Sequence, residues 1–252
     1  MDTEAREDKY IYCIIETDTQ KTFNYIGFGD SEKELYTVCY KDIAAVISDS
    51  LMSKYRASRE NLVAHEKAIE EVMKEHVVLP VRFATIAANE KAVSDILEKE
   101  YERFKELFIK MKDKKELGLK AILIEDVIFK EIMKKYKGIM VLKEQINTIP
   151  PEKTYYQRMK IGEMVENALQ KEREYFKKDI LDTLSKLSVE VKNNDSYYEM
   201  MVLNAAFLVE KYKETEFDEK VNILEAKYSS IMKFMYIGTV PPFNFVNLII
   251  NI

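Results

Sequence analysis

Apolar residues in this chain change spacing from two to three-and-four and back, and they do so twice along its length. That alternation constrains the fold more than any single motif, because a period of two suits a half-buried strand and a period of 3.6 suits an amphipathic helix. "KYIYCII" (9–15) is rich in strand-forming residues and is bounded by "ETDTQ", so it reads as a first strand. "YTVCY" (36–40) and "IAAVIS" (43–48) flank Lys41–Asp42, which predicts a tight hairpin. Then the period lengthens. From Ser58, a candidate N-cap, Leu62, His65, Ile69, Val72, Met73 and His76 fall on one helical stripe. "VVLPVRFA" (77–84) returns to strand character, with Pro80 calling for an edge position or a bulge. Asn89 caps a further amphipathic helix that runs to Met111 and turns Val93, Ile96, Leu97, Tyr101, Phe104, Leu107, Phe108 and Met111 inward.

The second half repeats the switch. "ELGLKAILIEDV" (116–127) reads as a strand, and the chain breaks at Pro150–Pro151. A long Glu/Lys helix pattern follows over roughly 154–187, then strands at 188–192 and 198–211, a helix around Phe217–Tyr228 and a last strand at 231–238. Strand, helix, strand, strand, helix, strand is the ferredoxin-like βαββαβ plan. The first half has a similar order, with its first helix missing or reduced to "SEKEL" (31–35). The expected class is therefore α+β, with two domains that are each a modified ferredoxin-like sheet with helices, plus a long helix in the second half. The expected division is 1–113 and 114–252, with a C-terminal tail that packs back toward the groove between the domains. A chain of 252 residues sits above the usual single-domain size, which supports two domains.

Charge and composition narrow the function classes. Thirty-nine basic and 44 acidic side chains give a net charge of −5, which disfavours nucleic acid, a ligand that demands a basic face. No apolar run approaches the ~18 residues of a membrane span. The opening "MDTEAREDKY" has no apolar core of a signal peptide, so a cytoplasmic protein is expected. Cys13 and Cys39 fit a reducing compartment, either as small buried hydrophobes or as neighbours on adjacent strands.

Catalytic chemistry is hard to find. His65 and His76 lie 11 residues apart, about 16 Å along a helix, too far to share a metal ion. "HEKAI" departs from the zinc-protease pattern because Ile69 stands where the second histidine is needed. Both histidines read as structural residues of the apolar stripe, with general-base work as the alternative. "GFGD" (27–30) is a turn rather than a dinucleotide loop, and six glycines leave little for a phosphate cradle. The carboxylates sit on Glu/Lys helix faces, where solvated pairing explains them. No enzyme, catalytic residue, metal or cofactor is expected.

Four segments, in order, resemble one family. "AHEKAIEEVMKEHVVLPVRFATIA" is similar to the gas vesicle protein F/L (GvpF/GvpL) pattern of a helix opening at a histidine followed by Leu-Pro-x-Arg-Phe-Gly. His65, Leu79, Pro80, Arg82 and Phe83 match it, and Ala84 replaces the glycine. "ELGLKAIL" resembles the family's Glu-x-x-x-Lys strand through Glu116 and Lys120, and "VLNAAFLVEK" its Asn-Ala-Ala-Phe-Leu-Val strand. "IGTVPPFNFV" resembles the closing Gly-Pro-Trp-Pro-Pro-Tyr-x-Phe-Val through Gly238, Pro241, Pro242, Phe245 and Val246, with Thr239, Val240 and Phe243 as departures. The resemblance implies two α+β domains and an accessory role in building gas vesicles, hollow protein shells used for buoyancy. Its implied partners are the small apolar shell-forming protein of the GvpA type and other gas vesicle accessory proteins. Its implied location is the gas vesicle or the cytoplasm.

Two stretches are then candidates for structural or partner-contact work: His65, Pro80, Arg82 and Phe83 in the first, Pro241, Pro242, Phe243 and Phe245 in the second. Alternation puts Leu79, Val81 and Phe83 on one strand face and Pro80 and Arg82 on the other, with Arg82 either bonding a carboxylate or backbone carbonyls at a domain seam or touching a partner. The prolines must take the chain out of its sheet after Gly238, and the apolar tail beyond them is expected to pack on its own chain. The leading function is a non-enzymatic assembly factor that binds the shell protein and limits its aggregation. Small-molecule binding or sensing on tandem ferredoxin-like domains is the alternative. RNA binding shares the strand order but lacks the basic–aromatic signature.

Overall fold

The computed structural model describes residues 8–27, 34–50, 54–248 and 250. Residues 28–33, which hold most of "GFGD" and the start of "SEKEL", lie outside them. The chain divides into two compact units, Met1–Glu116 with Thr239–Ile252, and Leu117–Gly238. The first unit therefore keeps Glu116 and takes the C-terminal segment, which the sequence reading had assigned to the second domain. Each unit holds one antiparallel sheet covered by helices.

In the first unit the order is β1 (Asp8–Glu16), β2 (Thr22–Ile26), β3 (Glu34–Tyr40), β4 (Ile43–Ser50), α1 (Arg59–Met73), β5 (Val78–Pro80), β6 (Ile86–Ala87), α2 (Glu90–Lys99) and α3 (Tyr101–Met111). The strands lie β2-β3-β4-β1-β5, with β6 also paired to β1. Four strands precede the first helix among the described residues, so this half does not follow the βαββαβ order. The short "TFNYI" strand, which the sequence reading passes over, alternates exposed Thr22 and Asn24 with half-buried Phe23 and Tyr25, and β3 supplies its ladder. Lys41–Asp42 forms the two-residue hairpin, with Lys41 in the left-handed region at φ 50°. Ser58 caps α1 by accepting from the Asn61 N–H, and Asn89 caps α2 by accepting from the Ala92 N–H. The helix expected to run unbroken to Met111 is two helices, parted at Glu100, whose φ of −100° and ψ of 9° leave the helical basin. β1 and β4 are almost wholly buried, and Ala68, Ile69 and Val72 of α1 pack over them.

In the second unit the order is β7 (Lys114–Leu123), α4 (Glu125–Lys135), α5 (Lys137–Ile146), α6 (Tyr155–Leu184), β8 (Ser188–Asn193), β9 (Met201–Glu210), α7 (Glu214–Tyr228) and β10 (Met232–Val240). The strands lie β10-β7-β9-β8. β9, the "MVLNAAFLVE" segment, is an inner strand and is buried along nearly its whole length, which explains why its apolar run is broken only by Asn204 before Glu210. Phe176, Ile180 and Leu184 of α6 join Phe207 and Phe217 in the core. β10 runs two residues past Gly238, to Val240, because only Pro241 lacks the N–H needed to continue a ladder.

Candidate functional site

"VVLPVRFATIA" is one strand interrupted by an excursion. Val78, Leu79 and Pro80 pair with Ile15, Ile14 and Cys13 of β1, and Ile86 and Ala87 pair with Tyr10 and Lys9. Between them the chain leaves the ladder and turns at Phe83–Ala84. The register of β1 against β4 shifts between Ile11 and Cys13, a bulge that places an extra residue, Tyr12, in β1. Its carbonyl accepts from the Val81 N–H at 2.9 Å, and the Ile11 N–H donates to the Thr85 carbonyl at 2.9 Å. Pro80 thus sits on an edge strand, as a residue without an N–H must. Arg82 is exposed because the turn carries it away from the sheet, not because it alternates within a strand.

His65 holds this turn from inside. It is 2% exposed on α1, with Nδ1 3.0 Å from the Tyr10 hydroxyl and Nε2 3.1 Å from the Val81 carbonyl. A carbonyl can only accept, so Nε2 carries the proton, Nδ1 accepts, and the Tyr10 O–H donates to it. The Tyr10 oxygen in turn accepts from the Ala84 N–H at 2.9 Å. The chain of bonds ties both ends of the turn to one helix. Burial pushes the His65 pKa down to about 4, against a smaller opposing effect of the Val81 carbonyl. A neutral imidazole suits this role, since its unprotonated Nδ1 can accept the Tyr10 proton while Nε2 donates to Val81.

Ala84 occupies the left-handed region at φ 62°. An L-residue there costs about 1–2 kcal/mol, and glycine recovers that less its larger unfolded-state entropy, about 0.5–1 kcal/mol. Ala84→Gly is accordingly expected to stabilise the chain by about 0.5–1 kcal/mol, read as a rise in the denaturant midpoint at unchanged slope.

The C-terminal segment closes over the same corner. After β10, Pro241 and Pro242 begin a turn in which the Phe243 N–H donates to the Pro241 carbonyl and the Val246 N–H to the Pro242 carbonyl. Glu116, 3% exposed, accepts from the Asn244 backbone N–H at 3.0 Å and from its side-chain amide at 2.5 Å. Burial raises the Glu116 pKa to about 7, and the two Asn244 bonds oppose the rise. Phe245, Val246 and Leu248 are buried, and Leu248 bridges to Val81. Asn247 is gripped twice, by Arg82 Nη2 on its side-chain oxygen at 3.1 Å and by Arg103 Nη2 on its carbonyl at 2.9 Å.

The partner of Arg82 is therefore an amide oxygen, not the carboxylate or backbone carbonyl expected from the sequence. The bond is solvent-exposed, so Arg82→Ala is expected to cost about 1 kcal/mol or less in a chemical melt.

The eight residues singled out in the sequence gather in the first unit. The His65 ring lies 5.8 Å from Phe83 and 6.2 Å from Phe243, while Pro80, Pro241 and Pro242 are buried beneath. Phe243 is 38% exposed, whereas Phe245 is 5% exposed. Sequence reasoning missed Tyr10, which belongs to the apolar face of β1, and Asn244 and Asn247, whose neighbours give no hint of a role. Glu116 did carry a signal, a carboxylate inside the apolar strand "ELGL". His76 lies beyond the end of α1, half-buried and 3.0 Å from Lys21 Nζ, and the Lys21 charge adds to burial in lowering its pKa. Gly27 is a close-approach glycine, since a Cβ there would stand 2.7 Å from the Tyr12 hydroxyl oxygen. Cys13 and Cys39 lie on β1 and β3, which β4 separates. No group of three His, Cys, Asp or Glu side chains among the described residues could hold a metal ion. The corner can hold a turn rigidly and present aromatic surface. Its hydroxyl–imidazole pair, Tyr10 with His65, is buried within the fold.

The family model described as "Gas vesicle synthesis protein GvpL/GvpF" matches residues 8–247. Gas vesicle protein F of Dolichospermum flosaquae is 25% identical over 243 residues, covering 95% of this chain and 97% of that protein. Gas vesicle protein F1 of Halobacterium salinarum is 24% identical over 245 residues, covering 96% and 94%. The crystal structure of GvpF from Anabaena sp. PCC7120 superposes with a TM-score of 0.82 at 23% identity, covering 96% of this chain and 99% of that one. GvpF from Microcystis aeruginosa superposes with a TM-score of 0.75 at 21% identity, with the same coverage. Those two structures share the fold, and with the match across residues 8–247 the chain belongs to the GvpL/GvpF family of gas vesicle synthesis proteins.

Proposed function

We propose that this chain is a non-enzymatic assembly factor that binds the small apolar shell-forming gas vesicle protein and limits its aggregation. Family membership supports a role in gas vesicle formation. The observation that carries the finer reading is the Phe243 ring, 38% exposed on a corner otherwise fixed by hydrogen bonds and buried prolines. Leu62, one helical turn before His65 on α1, is also exposed, at 44%. A rigid aromatic surface of this kind gains contact area with an apolar client while losing little side-chain entropy. No helix among the described residues is long and apolar enough to cross a membrane.

Co-expression of the tagged chain with the shell protein, followed by pull-down and light scattering, tests the reading. Phe243→Ser is expected to cut capture at least fivefold and to let the client aggregate, while stability changes by about 1 kcal/mol or less. Capture by Phe243→Ser equal to that of the parent chain would sink this assignment of the contact surface.

A further inference from the structure

The second unit carries a surface that the aromatic corner does not explain. Residues 130–160 hold eight basic and three acidic side chains, a local charge of +5 in a chain of net −5. All eight basic residues are exposed. Lys134 pairs with Glu131 and Lys135 with Glu172, but Lys130, Lys137, Lys143, Lys153 and Lys160 form no ion pair among the described residues. Large apolar side chains are exposed in the same stretch: Met140 (46%) and Val141 (51%) on α5, and Tyr155 (64%), Tyr156 (82%) and Met159 (56%) at the start of α6. Between α5 and α6 lies an open cavity of about 270 Å³, with Ile139, Met164 and Ala168 in its wall and Lys137, Asn167 and Lys171 beside them.

We propose that this face of α5 and α6 docks an acidic amphipathic helix of a protein partner. Apolar side chains of the partner fill the cavity and cover Met140 and Val141, and carboxylates one turn apart meet Lys137 and Lys171. The cavity is slightly smaller than most small-molecule sites, which span about 300–1,000 Å³, and it is open, so it suits side chains presented by another surface. A flat bilayer would not fill a discrete concavity. A nucleic acid would leave Met140, Val141 and the apolar wall of the cavity uncovered. The inference is independent of the shell-protein reading, and its test does not use that protein.

The probe is a fluorescein-labelled, 20-residue designed helix with leucine along one face and glutamate elsewhere, titrated with the full chain in fluorescence anisotropy. Saturable binding is expected. The double variant Lys137→Glu/Lys171→Glu should weaken it at least tenfold with an unchanged circular dichroism spectrum and melting temperature. Lys91→Glu/Lys99→Glu, on α2 of the first unit, should weaken it less than twofold. Replacing the probe's leucines with serine should also cost at least tenfold. Absence of binding, equal losses from the two charge reversals, or an affinity indifferent to leucine would overturn the proposal. So would tighter binding to vesicles with 30% phosphatidylserine or to a 20-nucleotide single-stranded DNA.

Discussion

Deletion of residues 243–252 is expected to abolish cooperative unfolding of the first unit. The deletion removes Phe245, Val246 and Leu248, each worth about 1.5–3 kcal/mol of burial, so about 5–9 kcal/mol of apolar contact is lost. It also strips Glu116 of both Asn244 bonds and removes Asn247, the shared acceptor of Arg82 and Arg103. A typical domain is stable by only about 5–15 kcal/mol, so the loss is comparable with the whole. Calorimetry of the truncated chain should show this unit's transition missing or displaced to far lower temperature. A melting profile matching the parent would show that the segment is dispensable for folding.

His65→Ala should be the most damaging single substitution at the corner, at about 3–5 kcal/mol. It opens a buried cavity and leaves the Val81 carbonyl and the Tyr10 hydroxyl without their partner. His65→Gln is milder, since a side-chain amide can accept from Tyr10 and donate to Val81. It also isolates the pH dependence. The folded His65 pKa of about 4 lies below the ordinary 6.5, so between these values the unfolded chain binds more protons and stability falls as pH falls. At about 1.36 kcal/mol per unit, this residue should cost about 2 kcal/mol on going from pH 7 to pH 5. Glu116 works in the opposite sense. Its folded pKa of about 7 lies above the unfolded value, so its contribution is present at low pH and is lost as pH rises through 7. The two effects partly offset in the parent chain, but Glu116 cancels in the comparison with His65→Gln. The Gln variant should therefore gain about 2 kcal/mol relative to the parent between pH 7 and pH 5. An unchanged difference at the two pH values would mean that His65 titrates normally in the fold.

Much of the fold was legible in the sequence wherever the cause is local. The caps at Ser58 and Asn89, the Lys41–Asp42 hairpin and the buried run of β9 each follow from chemistry within a few residues. The prolines at 241–242 likewise ended a strand where a missing N–H had to end it, although two residues later than expected. The candidate residues were named too, but as two separate patches with no expectation that His65 and Phe243 would meet. Their assembly depends on contacts between distant positions. Glu116 and Asn244 are 128 residues apart, and Arg82 and Asn247 are 165 apart. Whether "VVLPVRFATIA" is a continuous strand or a strand with an outward turn is decided by the bulge at Tyr12 and by His65, both outside the segment. The sequence by itself determined which residues prefer strand, helix or turn, because that preference is written in backbone sterics and apolar spacing. Only the tertiary structure decided that the last residues complete the first unit and that Arg82 grips an asparagine, because those outcomes depend on which buried polar groups meet once the sheets have formed.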